Sequence, residues 1–150
     1  MIQPDKDKVA LAEKASKYLN SVISPDLILA VLYTESSGNP WAMRYEPDFF
    51  DRYIRPIIGP EKLSPTEAHA RATSYGLMQV LGQVAREHGF KGEFLCELCT
   101  PWTGLWFGAK HLAAKVAKYG LEGGISSYNH GQPWPQLDRD PYLKKVLANL

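Results

Sequence analysis

Apolar residues recur at spacings of three and four along most of this chain, which is the pattern of amphipathic α-helices. Four of the patterned segments begin with a capping side chain followed by proline: Ser24-Pro25, Ser64-Pro65, Thr100-Pro101 and Asp140-Pro141. The cap satisfies a free backbone amide, and a proline at the first helical position has none to satisfy. The pattern predicts helices over residues 5–20, 25–36, 65–73, 76–88, 101–119 and 141–150.

The alternating pattern of a β-strand is almost absent, so we expect at most a small piece of β-structure between residues 39 and 58. Ser64-Pro65-Thr66-Glu67 has the spacing of a capping box, and Gly38, Gly89 and Gly120 are placed as helix stops. The predicted class is mainly α. The 150 residues fit a single compact domain, 1–150, without a linker or repeat.

Composition and charge exclude several classes of function. A net charge of +1 gives no electrostatic reason to expect nucleic acid or an anionic membrane surface as a partner. No apolar run has the length of a membrane span, so membrane insertion is not expected. The polar first residues do not form a signal peptide, and we expect synthesis in the cytoplasm. The sequence does not indicate an oligomeric state.

The two cysteines, Cys96 and Cys99, form a single C-x-x-C pair, which could be half of a zinc site or a redox pair. A zinc site needs two more ligands at suitable spacing, and the flanking His88 and His111 do not supply a known pattern. We therefore expect two thiols on a short helix, with no metal and no cofactor.

Glu35 is the most informative residue, because it shares a helical stripe with Ile28, Val31 and Leu32. Burial among apolar side chains raises the pKa of a carboxyl, and a carboxyl protonated near neutral pH can act as a general acid. From this helix alone, a glutamate that bends out to water explains the position equally simply.

Three separated segments carry further chemistry: Glu35-Ser36-Ser37-Gly38-Asn39-Pro40, Ser74-Tyr75-Gly76-Leu77-Met78-Gln79 and Ser127-Tyr128-Asn129-His130-Gly131. In this order they resemble the lytic transglycosylases of the soluble, goose-type lysozyme-like group, whose motifs are E-S-x-x-N-P, G-L-M-Q and A-Y-N-x-G. The resemblance covers roughly residues 22–132. It implies a lysozyme-like α fold and peptidoglycan glycan strands as the partner.

The chain departs from this family pattern at two places. About forty residues separate Glu35 from Gly76, where the family has few, so an insertion is expected at about 43–73. In this respect the chain looks like the phage-type variants of the family. Ser127 also stands where the family usually has alanine.

The resemblance implies cleavage of the β-1,4 bond between N-acetylmuramic acid and N-acetylglucosamine with closure of a 1,6-anhydro ring. Glu35 would act first as general acid and then as base. The implied substrate-binding residues are Gln79, Met78, Tyr128, Asn129, Ser36 and Ser74.

Other functions stay open at this point. A goose-type muramidase would hydrolyse the same bond and would need a second carboxylate, for which Glu46, Asp48 and Asp51 are candidates. A non-catalytic wall-binding or virion structural module, and a chitinase-like enzyme of the same fold, are the remaining alternatives. A wall-cleaving enzyme made in the cytoplasm would fit phage lysis, a virion or another export route.

Overall fold

The computed structural model describes residues 3–150, and helices dominate it. Side chains cap three of the helices as expected, because Ser24, Ser64 and Asp140 each accept a hydrogen bond from a backbone N–H of the first helical turn. The mainly α class predicted from the sequence is confirmed. The main helices are α1 (Lys6–Tyr18), α2 (Pro25–Ser36), α3 (Pro47–Phe49), α4 (Pro65–Arg71), α5 (Gly82–Glu87), α6 (Pro101–His130) and α7 (Pro141–Asn149).

Helix α2 is the centre of the largest apolar core. All six residues from Leu27 to Leu32 are buried, and the helix packs against α1 and α7. Each fully buried Leu, Ile or Val side chain contributes about 1.5–3 kcal/mol of transfer free energy. This packing fixes the axis of α2, and thereby fixes the position of Glu35 in its last turn.

A small antiparallel sheet of order β1-β2-β3 lies beside the helices. Strand β1 (Met43–Tyr45) falls within the predicted interval, whereas β2 (Thr73–Tyr75) and β3 (Val80–Leu81) lie outside it. The register pairs Arg44 with Ser74 and Ser74 with Leu81.

The helix predicted over residues 76–88 is wrong in its first half. Residues 76–79 form the turn between β2 and β3, and α5 begins only at Gly82. Gly76 has a φ of +74°, and a Cβ there would lie 2.6 Å from the carbonyl oxygen of Leu98. Only glycine fits this combination of backbone conformation and close approach.

Helix α6 is longer than the predicted 101–119, because helical structure resumes after a break at Gly120, where φ is +81°. The second part of α6 carries Tyr128, Asn129 and His130 to the same side of the molecule as Glu35.

The segment of residues 43–73, which the sequence comparison predicts to be an insertion and which is called the insertion below, has an apolar cluster of its own, in which Phe50, Ile54, Ala68 and Ala72 are buried. Pro47–Phe49 continues into a π-helical turn, Phe50–Ile54, and a 3₁₀ turn, Arg55–Ile57. This cluster is separate from the apolar core around α2.

An ion pair joins the insertion to α5. Arg86 Nη2 lies 2.6 Å from Glu67 Oε1, and both side chains are largely buried. The Ser64 hydroxyl accepts from the Glu67 N–H, but the Glu67 carboxylate binds Arg86 rather than the Ser64 amide. The predicted capping box is therefore only half formed.

None of the helices described in residues 3–150 is both long and apolar enough to cross a membrane.

Candidate active site

A cleft of about 690 Å³ opens between the end of α2, the small sheet, α6 and the insertion. It contains most of the side chains that the sequence motifs single out, together with several that they do not. Its lining consists of Glu35, Arg44, Glu46, Phe49, Tyr53, Ser74, Gln79, Val80, Leu81, Val84, His111, Tyr128, Asn129, His130 and Gly131.

Glu35 lies in the last turn of α2, and Ser37, which caps the end of this helix, has the left-handed conformation. Burial raises the pKa of Glu35 from its ordinary value of 4.5 to about 7, although a hydrogen bond from Tyr142 and the charge of Arg44 act in the opposite direction. A large fraction of these carboxyls is therefore protonated at neutral pH, which is the state that a general acid requires.

Tyr142 is the direct partner of Glu35. Its hydroxyl donates a hydrogen bond of 2.6 Å to Glu35 Oε2. The Tyr142 side chain is buried, and it belongs to α7, which packs against α2 and α6. This contact fixes the Oε2 atom of Glu35.

Asp140 fixes the start of α7 and connects it to the cleft. Its fully buried Oδ1 accepts from the Tyr142 backbone N–H at 2.9 Å and lies 2.9 Å from His130 Nε2. His130 in turn lines the cleft. The same carboxylate therefore positions both Tyr142 and His130.

The turn at residues 76–79 is held by hydrogen bonds from both sides. The Tyr128 hydroxyl donates to the Met78 carbonyl at 2.6 Å, and burial raises the pKa of Tyr128 well above its usual value, so this donor stays protonated. The Gln79 side-chain nitrogen donates to the carbonyls of Ala42 (2.9 Å) and Gly76 (3.1 Å). Both amide protons of Gln79 are thus engaged, and its Oε1 is the atom that remains for a ligand.

Two of the expected substrate contacts lie outside the cleft lining. The Met78 side chain is fully buried in the α2 core, so it supports the turn from below. The Ser36 hydroxyl donates to the Leu77 carbonyl at 2.7 Å and accepts from the Gly38 N–H, which ties α2 to the same turn.

The three candidate second carboxylates occupy different places. Glu46 lines the cleft, and its Oε1 lies 3.3 Å from Arg44 Nε. Asp48 and Asp51 are not part of the lining, and Asp51 pairs with Arg55 at 2.7 Å on the exposed side of the insertion. Of the three, Glu46 is the carboxylate that shares the cleft with Glu35.

The sequence did not identify Tyr142, Arg44, Phe49, Tyr53 or His111 as site residues. Aromatic and arginine residues are concentrated in the 41–58 stretch, and this is a usable signal for three of them, because aromatic ring faces can pack on sugar rings. No local pattern marks Tyr142 as a site residue, since it fits the apolar pattern of α7 like an ordinary core position.

His111 forms a pair with His88, whose Nε2 lies 3.0 Å from His111 Nδ1. Burial lowers the pKa of His111 to about 4 and also lowers that of His88, with nearby lysines adding to the effect. Both rings are therefore neutral at pH 7. Within residues 3–150, no group of three or more His, Cys, Asp and Glu side chains could hold a metal ion. Cys96 is an exposed free thiol and Cys99 a buried one.

A family profile described as "Transglycosylase SLT domain" matches residues 11–134 of the chain. No curated protein and no solved structure gives a significant match.

Proposed function

The chain belongs to the Transglycosylase SLT domain family and is a peptidoglycan-cleaving enzyme of the lytic transglycosylase kind, and from this premise we propose its chemistry. It cleaves the β-1,4 bond between N-acetylmuramic acid and N-acetylglucosamine and leaves a 1,6-anhydro muramoyl end, with Glu35 as general acid and then base.

One observation supports this proposal most directly. Glu35 is a carboxyl in the cleft with its pKa raised to about 7 by burial and one oxygen held by Tyr142. At neutral pH both of its protonation states are populated, so the same group can give a proton in one step and take one back in the next.

In the first step, protonated Glu35 donates its proton to the glycosidic oxygen, and the bond from that oxygen to C1 of the muramoyl sugar breaks. The carbonyl oxygen of the sugar's own N-acetyl group bonds to C1 and stabilises the positive charge. In the second step, the C6 hydroxyl attacks C1, the bond to the acetyl oxygen breaks, and ionised Glu35 takes the hydroxyl proton. No water is consumed.

The neighbouring side chains supply positioning. Tyr142 orients the Glu35 carboxyl, and its hydrogen bond favours the ionised form that the second step needs. Gln79 presents Oε1 to an acetamido N–H of the substrate, because both of its amide protons are held by carbonyls. Asn129 of α6 and Ser74 of β2 also contribute polar side chains to the lining.

Hydrolysis by a muramidase is the second candidate, and the position of Glu46 in the cleft favours it specifically. A hydrolase needs a second carboxylate to activate water, and Glu46 is the one the cleft provides. Its contact with Arg44 holds it at the rim.

Mass spectrometry of muropeptides released from purified sacculi separates the candidates. We expect anhydro products, lighter by one water than hydrolytic products, and loss of at least about 10³-fold in rate for Glu35→Gln with Glu46→Gln still active. Products with only reducing muramic acid, lost in Glu46→Gln, would support the muramidase instead. Binding to sacculi without any release would support a non-catalytic module.

The pH profile gives an independent check. The active form in the first step is protonated Glu35, so the rate should fall as pH rises through about 7. A profile flat from pH 6 to 9 contradicts the assignment of Glu35 as the acid.

A further inference from the structure

The insertion builds one rim of the cleft. Phe49 and Tyr53 line it with their rings 4.9 Å apart and inclined at 44°, and Tyr53 remains 53% exposed. Arg44 lies on β1 opposite Ser74 of β2, and both side chains line the cleft. The rim thus places an aromatic pair and a guanidinium along one edge.

Among the described residues that line the cleft, Arg44 is the one lysine or arginine. Its side chain is 76% exposed. Its contact with Glu46, from Nε at 3.3 Å, is an exposed ion pair, a kind worth about 1 kcal/mol or less. An arginine has five N–H donors in a planar fork, so a contact through Nε does not exhaust them. A ligand carboxylate can bind this fork in competition with, or beside, Glu46.

The proposed substrate carries groups that match both parts of this rim. Pyranose rings present apolar C–H faces that pack on aromatic rings, and the peptides attached to muramic acid carry free carboxylates. Carboxylates are the ligands that arginine binds best, through paired charge-assisted hydrogen bonds.

We propose that the insertion is a stem-peptide subsite, in which Arg44 binds a carboxylate of the peptide while Phe49 and Tyr53 pack on the glycan. The enzyme then selects strands whose peptides carry free carboxylates over strands whose peptides are neutral. This inference rests on the proposed function, since it takes peptidoglycan as the substrate of the same cleft.

The test compares uncross-linked peptidoglycan strands with the same strands whose peptide carboxylates have been converted to amides. Binding is measured in the Glu35→Gln background, which keeps the cleft but lacks the acid. The kcat/KM is measured with Glu35 in place. Arg44→Gln is the variant of interest. Arg55→Gln is the matched control, because it removes the same charge from the insertion at a position that pairs with Asp51 outside the cleft.

We expect a preference of about tenfold for native strands, as one charge-assisted contact supplies. Arg44→Gln should abolish this preference and Arg55→Gln should retain it. Equal binding of native and amidated strands by Glu35→Gln with Arg44 in place overturns the proposal. A preference that survives Arg44→Gln, or that is lost equally in Arg55→Gln, also overturns it. Absence of any cleavage would contradict the proposed function, while the binding arm would still decide the role of Arg44.

Discussion

Replacing Glu35 with glutamine is expected to stabilise the fold by an amount that grows as pH rises from about 4.5 to 7 and is largest above pH 7. Burial raises the pKa of Glu35 to about 7, from 4.5 in an exposed carboxyl. Below pH 4.5 the group is protonated in both the folded and unfolded chain and contributes nothing. Between pH 4.5 and 7 the unfolded chain ionises first, so stability falls as pH rises, and above pH 7 the full penalty is present.

The size of this penalty follows from the two pKa values. Their difference of about 2.5 pH units, at about 1.36 kcal/mol for each unit, corresponds to about 3 kcal/mol. Glutamine has no charge to bury and keeps a carbonyl oxygen that can accept the hydrogen bond from Tyr142. The stability difference between Glu35→Gln and the unsubstituted protein should therefore grow by up to about 3 kcal/mol from pH 4 to pH 9.

Urea unfolding at several pH values between 4 and 9 measures this difference directly. Glu46→Gln is the matched control, since it removes a carboxylate from the more exposed rim of the same cleft. A stability difference for Glu35→Gln that does not change with pH, or that changes no more than that of the control, would refute the argument that burial disfavours the ionised form of Glu35.

Three further outcomes can be measured with simple variants or reagents. Tyr142→Phe removes the hydrogen bond that favours ionised Glu35, so the alkaline limb of the pH–rate profile should move up by about one pH unit; a downward move contradicts this. Gly108→Ala should lower the unfolding free energy by about 1–3 kcal/mol, because the new Cβ would lie 2.5 Å from Met78 Cβ. Gly59→Ala, where nothing lies within 4 Å, is its control, and equal effects in urea unfolding would contradict the packing argument. EDTA should leave the release of muropeptides unchanged, and inhibition that added zinc reverses would show a metal requirement.

The sequence predicts the helices whose ends are encoded locally. All four cap–proline pairs mark a helix start correctly, because these signals depend on residues within one turn. Only the Thr100 side chain makes no capping hydrogen bond. The strands β2 and β3 have three and two residues, which is too short for any periodicity to appear. The apolar spacing of Leu77 and Val80 looks helical, although a tight turn and a strand bury both side chains.

In the candidate site too, the sequence predicts what neighbouring residues encode and misses contacts between distant residues. Glu35 could be found from its stripe, since burial of α2 is a local consequence of six consecutive apolar residues. The contact between Tyr142 and Glu35 joins residues 107 positions apart, and no local pattern encodes it. Met78 and Ser36 were expected from the motifs to bind substrate. In the structure, the Met78 side chain lies in the core, and the Ser36 hydroxyl holds the turn through the Leu77 carbonyl.

The hydrogen bond from Tyr142 to Glu35 also has a consequence for the timing of folding. Helix α7 lies outside the matched segment 11–134, yet it supplies the partner of the carboxyl at the centre of the cleft. Joining residues this far apart in the sequence is a non-local event, which the formation of α2 alone does not bring about. During synthesis the acid therefore lacks its partner until the residues of α7 have left the ribosome. In a refolding experiment, the return of lytic activity with its final pH profile reports the docking of α7 rather than the formation of α2.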